Sequence, residues 1–393
     1  MDRVCFLNIA QWHQALHVLP IAAALSRRGD VSVHVAVASA AALRPARDLC
    51  ARLGAGDITF RALWPAWLGQ GGRRGHPPKR LMLAAAAPFL ARCDALVVPE
   101  RTSLFLKRVG LRRPLMIHCD HGAGDRAVGY EPRIAQFDYA LLAGAKQEAR
   151  MLSDRLVKPG HYRVVGYPKF EAAGLTCERD LALFPKARPT VLYNPHFEPG
   201  LTSWDRFGLD VVRAFACQTR YNLIVAPHVR LAQRAPRLAE QLAPFARLSH
   251  IHVDLGGRRS CDMTYVRAAD VYLGDVSSQV YEFIERPRAC AFLDAFGALD
   301  PLDRDTAHAG LGPVGRSGRD VLALIDHARD SFSAYRDLQA KAFRNTFDLD
   351  GRSCSERAAE AVADAIAQRR RAYKRSALWS PGFAAAAPGE RAR

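Results

Sequence analysis

Short apolar runs alternate along this chain with longer amphipathic or alanine-rich segments, and that rhythm leaves few folds open. The runs Val4–Ile9, Val31–Val37, Ala95–Val98, Pro114–His118 and Tyr139–Leu142 are separated by helix-like stretches such as Leu16–Arg28, Leu81–Arg92 and Lys146–Leu156. Uninterrupted apolar runs suit strands buried on both faces, and intervening helices suit parallel crossovers. The rhythm restarts with Thr190–Tyr193, Asn222–Ala226, His250–Val253, Val271–Leu273 and Ala289–Leu293. Two doubly wound α/β domains follow, with ligand loops at the carboxyl ends of both sheets facing one cleft. The expected division is a first domain over 1–168, a linker over 169–189 and a second domain over 190–350. A last helix over 351–375 and a disordered tail over 376–393 follow. Within that helix Ser353 and Glu356 have the spacing of a capping box.

Composition narrows the class. Of 393 residues 49% are hydrophobic, enough for two packed cores. The longest apolar region, Leu81 to Pro99, is interrupted by Arg92 and Asp94, so no membrane span is expected. Gln11, His13, Gln14 and His17 break the first apolar stretch, which argues against a signal peptide. The nine cysteines form no C-x-x-C pair, which speaks against a zinc ribbon or a disulfide framework and for a cytoplasmic protein. The net charge of +17 favours anionic partners. There is no RNA-recognition, zinc-finger or basic-zipper signature, so nucleic acid is not an expected partner. Basic clusters at Arg73–Arg80, Lys107–Arg113 and Arg369–Arg375 are ordinary solvated faces or contacts to an anionic membrane surface.

Four loops after strands carry the candidate chemistry. His118 to Arg126, HCDHGAGDR, sets His121 at an apex beside Asp120 and Asp125. A carboxylate near an imidazole orients it for general-base work. After Tyr193 come Asn194, His196 and Glu198, a strand-ending turn or a ligand contact. Pro227 ends a strand and presents His228 and Arg230, both able to donate to phosphate oxygens. Finally, ADVYLGDVSSQVYEF places Ser277 and Ser278 where a strand gives way to a helix. That is an ordinary N-cap, or an anion cradle for a nucleotide diphosphate. Glu282, four residues after Ser278, shares its helical face and can accept from ribose hydroxyls. His13 and His17, placed between the first strand and its helix, are candidates for acceptor contact. No metal or cofactor is required. Asp303-x-Asp305 and Asp348-x-Asp350 match a metal-binding pair only superficially.

The order of these pieces resembles the CDP-glycerol glycerophosphotransferase family, whose members prime and polymerise teichoic acids. It is also similar to related polysaccharide transferases of two-domain GT-B architecture. The resemblance runs from about His118 to Ile366. It rests on His121-Gly122, Gly166-Tyr167-Pro168, Tyr193-Asn194-Pro195, Pro227-His228, Ala269-Asp270 through Ser277-Ser278, Asp350-Gly351 and Ser355-Glu356-Arg357. The chain departs from the family at His196-Phe197-Glu198, where members often carry a Thr and then a basic residue. It departs again at Asp275-Val276, usually Asp-Tyr.

The resemblance implies a GT-B fold, with two Rossmann-like domains and a last helix packed back on the first. It implies His121 as general base and His228, Ser277 and Ser278 around the donor pyrophosphate. The donor would be CDP-glycerol or a similar activated polyol, and the acceptor a lipid-linked or polymeric hydroxyl. Rival readings are a sugar-nucleotide glycosyltransferase, an enzyme like UDP-GlcNAc 2-epimerase, or a non-catalytic nucleotide- or nucleic-acid-binding protein.

Overall fold

The computed structural model describes residues 1–64, 78–178 and 181–378. Seven strands form the first sheet: β1 (Asp2–Asn8), β2 (Val31–Val37), β3 (Ile58–Ala62), β4 (Ala95–Val98), β5 (Leu115–Cys119), β6 (Tyr139–Leu142) and β7 (Tyr162–Val164). Six form the second: β8 (Thr190–Asn194), β9 (Asn222–Val225), β10 (Ile251–Val253), β11 (Val271–Gly274), β12 (Ala289–Leu293) and β13 (Val314–Gly315). The orders are β3-β2-β1-β4-β5-β6-β7 and β10-β9-β8-β11-β12-β13. Every pairing is parallel. Both sheets are therefore doubly wound, as the alternating pattern requires. Chain order reverses beside β1 and β4 in one sheet and beside β8 and β11 in the other. Such switch points open a crevice at the carboxyl ends of the strands.

The central strands read as continuous apolar runs because both faces are covered. Val4, Phe6, Val33, Val35, Val97 and Ile117 pack on one side of the first sheet. Cys5, Leu7, Leu96, Val98 and Met116 pack on the other. The strands not expected from the sequence, β3, β7 and β13, lie at sheet edges and are only partly covered.

The helix Trp12–Ser26 is buried from Gln14 to Ser26, lying between the first sheet and the last helix. It begins four residues before the expected Leu16, so His13 is a helical and not a loop residue, and His17, just past that expected start, lies well inside the helix. Polar side chains at its start resemble a loop in sequence, but here they face the cleft. The last helix, Cys354–Leu378, crosses to the first sheet and packs Ala358, Ala359, Ala361, Val362, Ala365 and Ile366 into its core. Small side chains let two helices approach closely. Ser353 accepts from Glu356 N–H at 3.1 Å, the N-cap half of the expected box. The Glu356 side chain does not complete the box; it reaches Arg27 at 3.4 Å.

Two connections differ from expectation. Lys169–Thr176, inside the stretch read as a linker, is a helix. Just before it, Gly166 holds φ +82°, and a Cβ there would lie 2.5 Å from both the Asp348 carbonyl oxygen and Cys354 Sγ. This is where the returning chain crosses, and only glycine fits both the conformation and the space. The final segment stays helical to Leu378; residues 379–393 of the expected disordered tail lie outside the described residues. The same holds for residues 73–77 of the first basic cluster.

Candidate active site

Loops from both switch points enclose a cleft of about 930 Å³. Ile9 to Gln11 and His13 follow β1, and Glu100 to Thr102 follow β4. Opposite them, His196 to Glu198 follow β8, and Val276 to Ser278 follow β11. His121 enters after β5, and His228 and Arg230 after β9. The parallel topology thus brings together loops widely separated in sequence.

His121 has a defined tautomer. Its Nδ1 lies 2.6 Å from the Pro99 carbonyl oxygen, which can only accept. The proton therefore sits on Nδ1, and Nε2 is the basic nitrogen. Asp120 accepts from the His121 backbone N–H at 2.7 Å and lies 3.7 Å from Nδ1. Its other oxygen accepts from Gln147 Nε2 at 3.4 Å.

His228 holds the opposite tautomer. Its Nδ1 accepts from the Arg230 N–H at 3.2 Å, so Nε2 carries the proton. Burial, assisted by Arg230, His121 and Arg126, pushes its pKa down to about 3, so it is a neutral donor. The ring of His13 lies between the two, 5.6 Å from His121 and 6.2 Å from His228. Burial holds His13 and His17 well below the usual histidine range, with His121 and Lys169 reinforcing the shift.

The structure redistributes several expected roles. Asp125 does not partner His121. Its buried carboxylate accepts from Tyr281 OH at 2.7 Å, Lys146 Nζ at 3.0 Å and the His308 N–H at 2.9 Å. Burial alone would raise its pKa, but His308, Lys146 and Tyr281 together hold it well below the usual carboxylate range. Asn194 is also internal: Nδ2 donates to the Ala226 carbonyl at 2.6 Å, and Oδ1 accepts from Tyr272 OH at 3.2 Å. It ties β8 to its neighbours and does not line the cleft.

Glu282 lines the cleft but is already engaged. Both carboxylate oxygens accept from Lys169 Nζ at 2.7 Å, and one accepts from Tyr167 OH at 3.0 Å. The helix after the serines, Gln279–Phe283, has only five residues. It offers little dipole, so donation to an anion falls to the hydroxyls and the local N–H groups. Ser277 Oγ accepts from Gln279 N–H at 3.3 Å. Ser278 faces the loop of His121, where a Cβ on Gly124 would come within 2.8 Å of Ser278 Cβ. That glycine is required by close approach between the two domains.

Arg126 and Phe197 were not singled out from the sequence as site residues. Arg126 places Nη1 2.8 Å from His196 Nε2 and donates through Nη2 to Glu198 at 2.6 Å, linking the domains across the cleft. The Arg230 guanidinium stacks 4.1 Å from the Phe197 ring. In the sequence His196 and Glu198 read as a strand-ending turn or a ligand contact, and the departure from the family pattern at His196-Phe197-Glu198 marks the same stretch.

No group of three or more His, Cys, Asp or Glu suited to a metal occurs among the described residues. In the two D-x-D pairs, Arg150 takes up Asp305, Arg357 takes up Asp348 and Asp350, and Asp303 accepts from the Asp305 N–H.

Solved structures share this architecture at low identity. A UDP-N-acetylglucosamine 2-epimerase from Listeria monocytogenes, described as putative, matches with TM-score 0.62 and 14% identity over 94% of this chain and 97% of that one. The wall teichoic acid polymerase TagF, as a variant soaked with CDPG, matches with TM-score 0.61 and 11% identity over 95% and 90%. The fold is of the GT-B type. A UDP-GlcNAc 2-epimerase from Neisseria meningitidis, bound to UDP-GlcNAc, matches with TM-score 0.53 and 11% identity over 94% and 100%. No protein-family model and no curated protein sequence matches the chain.

Proposed function

We propose that this chain transfers a polyol-phosphate unit, glycerophosphate in the simplest case, from a cytidine diphosphate donor to a hydroxyl of a lipid-linked or polymeric cell-envelope acceptor. The observation that carries the reading is the pair of opposed tautomers, His121 with a basic Nε2 and His228 with a protonated Nε2. An acceptor hydroxyl gives its proton to His121 Nε2 and attacks the distal phosphorus of the donor. The new O–P bond forms as the bond to the bridging pyrophosphate oxygen breaks, and CMP leaves with that electron pair. His228 Nε2–H, Arg230 and the hydroxyls of Ser277 and Ser278 face the charge on the departing phosphate. Phosphoryl transfer depends on such positioning and charge stabilisation. The similar TagF structure was soaked with CDPG, which supports a donor of this class.

A second reading has support from the similar epimerases, one bound to UDP and another to UDP-GlcNAc. There a sugar C–O bond breaks and a nucleoside diphosphate leaves. Incubation with CDP-glycerol, CDP-ribitol and a panel of UDP- and GDP-sugars, with a membrane extract as acceptor, separates the two. CMP release supports polyol-phosphate transfer; UDP or GDP release assigns the chain to sugar-nucleotide chemistry.

A further inference from the structure

His308, in the turn Ala307–Leu311 between β12 and β13, is 3% exposed and does not line the cleft. Both its ring nitrogens face acceptors. Nδ1 lies 3.1 Å from Asp125 Oδ2, and Nε2 lies 2.6 Å from the backbone carbonyl oxygen of Asp275. A carbonyl oxygen cannot donate. The Asp125 carboxylate receives donors from Tyr281, Lys146 and the His308 backbone, so it too is acceptor-only. A neutral imidazole has one N–H and satisfies one of these contacts; two N–H groups satisfy both.

The two acceptors sit on opposite halves of the site. Asp125 closes the loop that carries His121, and Asp275 immediately precedes the Val276-Ser277-Ser278 turn. We propose that His308 is held as an imidazolium and acts as a positioning residue, tying the His121 loop of one domain to the serine turn of the other. When the ring loses its second proton, one of the two bonds is lost. Tyr281 and the His308 backbone N–H also hold Asp125, so the ring adds a second tie between the halves beside theirs.

The surrounding groups are compatible with a cation here. Asp125 is the facing charge; Lys146 contacts its Oδ1 and Tyr281 both of its oxygens. Arg150 is turned to the Asp125 carbonyl and to Asp305. The Asp275 carboxylate is turned to the N–H groups of His196, Ser203 and Val276. Phe292 contributes an uncharged ring edge at 5.4 Å.

The inference rests on the proposed function only in using a nucleotide as probe. The full-length protein is labelled with 15N-histidine, and the ring nitrogens are followed by NMR from pH 6 upward, with His308→Gln identifying the signal. CDP affinity is measured over the same range. The expected result is two protonated ring nitrogens at pH 7. CDP binding then weakens about tenfold or more as the second proton leaves, in line with the loss of one charge-assisted hydrogen bond. His308→Gln binds CDP weakly without that pH step. A single unprotonated ring nitrogen at pH 7, or a wild-type CDP profile that coincides with His308→Gln, overturns the proposal. If His308→Gln does not fold, Tyr281→Phe identifies the signal by perturbing its neighbour, and the wild-type ring state decides. Failure to bind CDP or UDP at any pH refutes the functional reading and leaves the ring measurement to judge this one.

Discussion

His121 donates its Nδ1–H to the carbonyl oxygen of Pro99 at 2.6 Å, so the loop after β4 fixes the tautomer of a ring that follows β5. With Nε2 as the basic nitrogen, the His121→Ala variant loses the proton acceptor and little else. Its turnover falls about 10²–10⁴-fold, the usual worth of a positioned acid or base. Nucleotide affinity by calorimetry stays within about threefold of wild type, a change under about 1 kcal/mol.

The Lys169–Glu282 pair joins the helix after the first domain to the helix after the serines, with both side chains about 5% exposed. Removing one partner strands a buried charge. Glu282→Ala destabilises by about 3–5 kcal/mol, while the double variant Lys169→Met with Glu282→Leu loses much less. Urea unfolding of the three proteins checks the difference.

Gly124 has no room for a side chain against Ser278. Gly124→Ala forces the two domains apart or displaces the serine turn, at about 1–3 kcal/mol. The cost appears as a lowered melting temperature together with weakened nucleotide binding. Gly129→Ala, where a Cβ meets nothing within 4 Å, serves as the control.

Burial depresses several histidines: His118 to about 4, His228 to about 3 and His196 to about 2. Each has a folded pKa below its unfolded value of about 6.5, so the unfolded chain binds more protons in acid. The stability each contributes is complete above about pH 6.5 and is lost as pH falls through the folded values. The slope is about 1.4 kcal/mol per pH unit per histidine. His118 stacks on Phe137 at 4.7 Å away from the cleft lining. His118→Phe reduces the acid slope between pH 6 and 4.5 by one histidine's share, measured by urea unfolding at each pH.

Two of the basic clusters meet in the folded chain: Arg369 on the last helix donates to the Arg112 carbonyl at 3.1 Å. No described helix is long and apolar enough to cross a membrane. A peripheral contact made by these clusters recovers more protein with anionic than with neutral liposomes in flotation. Equal recovery from both would refute it.

The fold was legible because central parallel strands are buried on both faces. Val31–Val37 and Ala289–Leu293 were recognised to the residue for that reason. The edge strand Ile58–Ala62 was not, since its exposed Thr59 and Arg61 break the apolar run. His13 was placed in a loop because polar residues at the cleft-facing start of a buried helix imitate one. His121, His228 and the serines, each read from a single loop, line one cleft in the structure. Lys169 with Glu282 and Asp125 with His308 were not read as pairs, because each pair is assembled from segments more than a hundred residues apart. Local sequence carries no mark of such a pairing.

The most direct test follows the phosphorus. A 31P spectrum of CDP-glycerol incubated with the full-length protein and a hydroxyl acceptor should show CMP and a new phosphodiester growing together, both absent with His121→Ala. A nucleoside diphosphate as the released product, or CMP formed equally well by His121→Ala, would contradict the account.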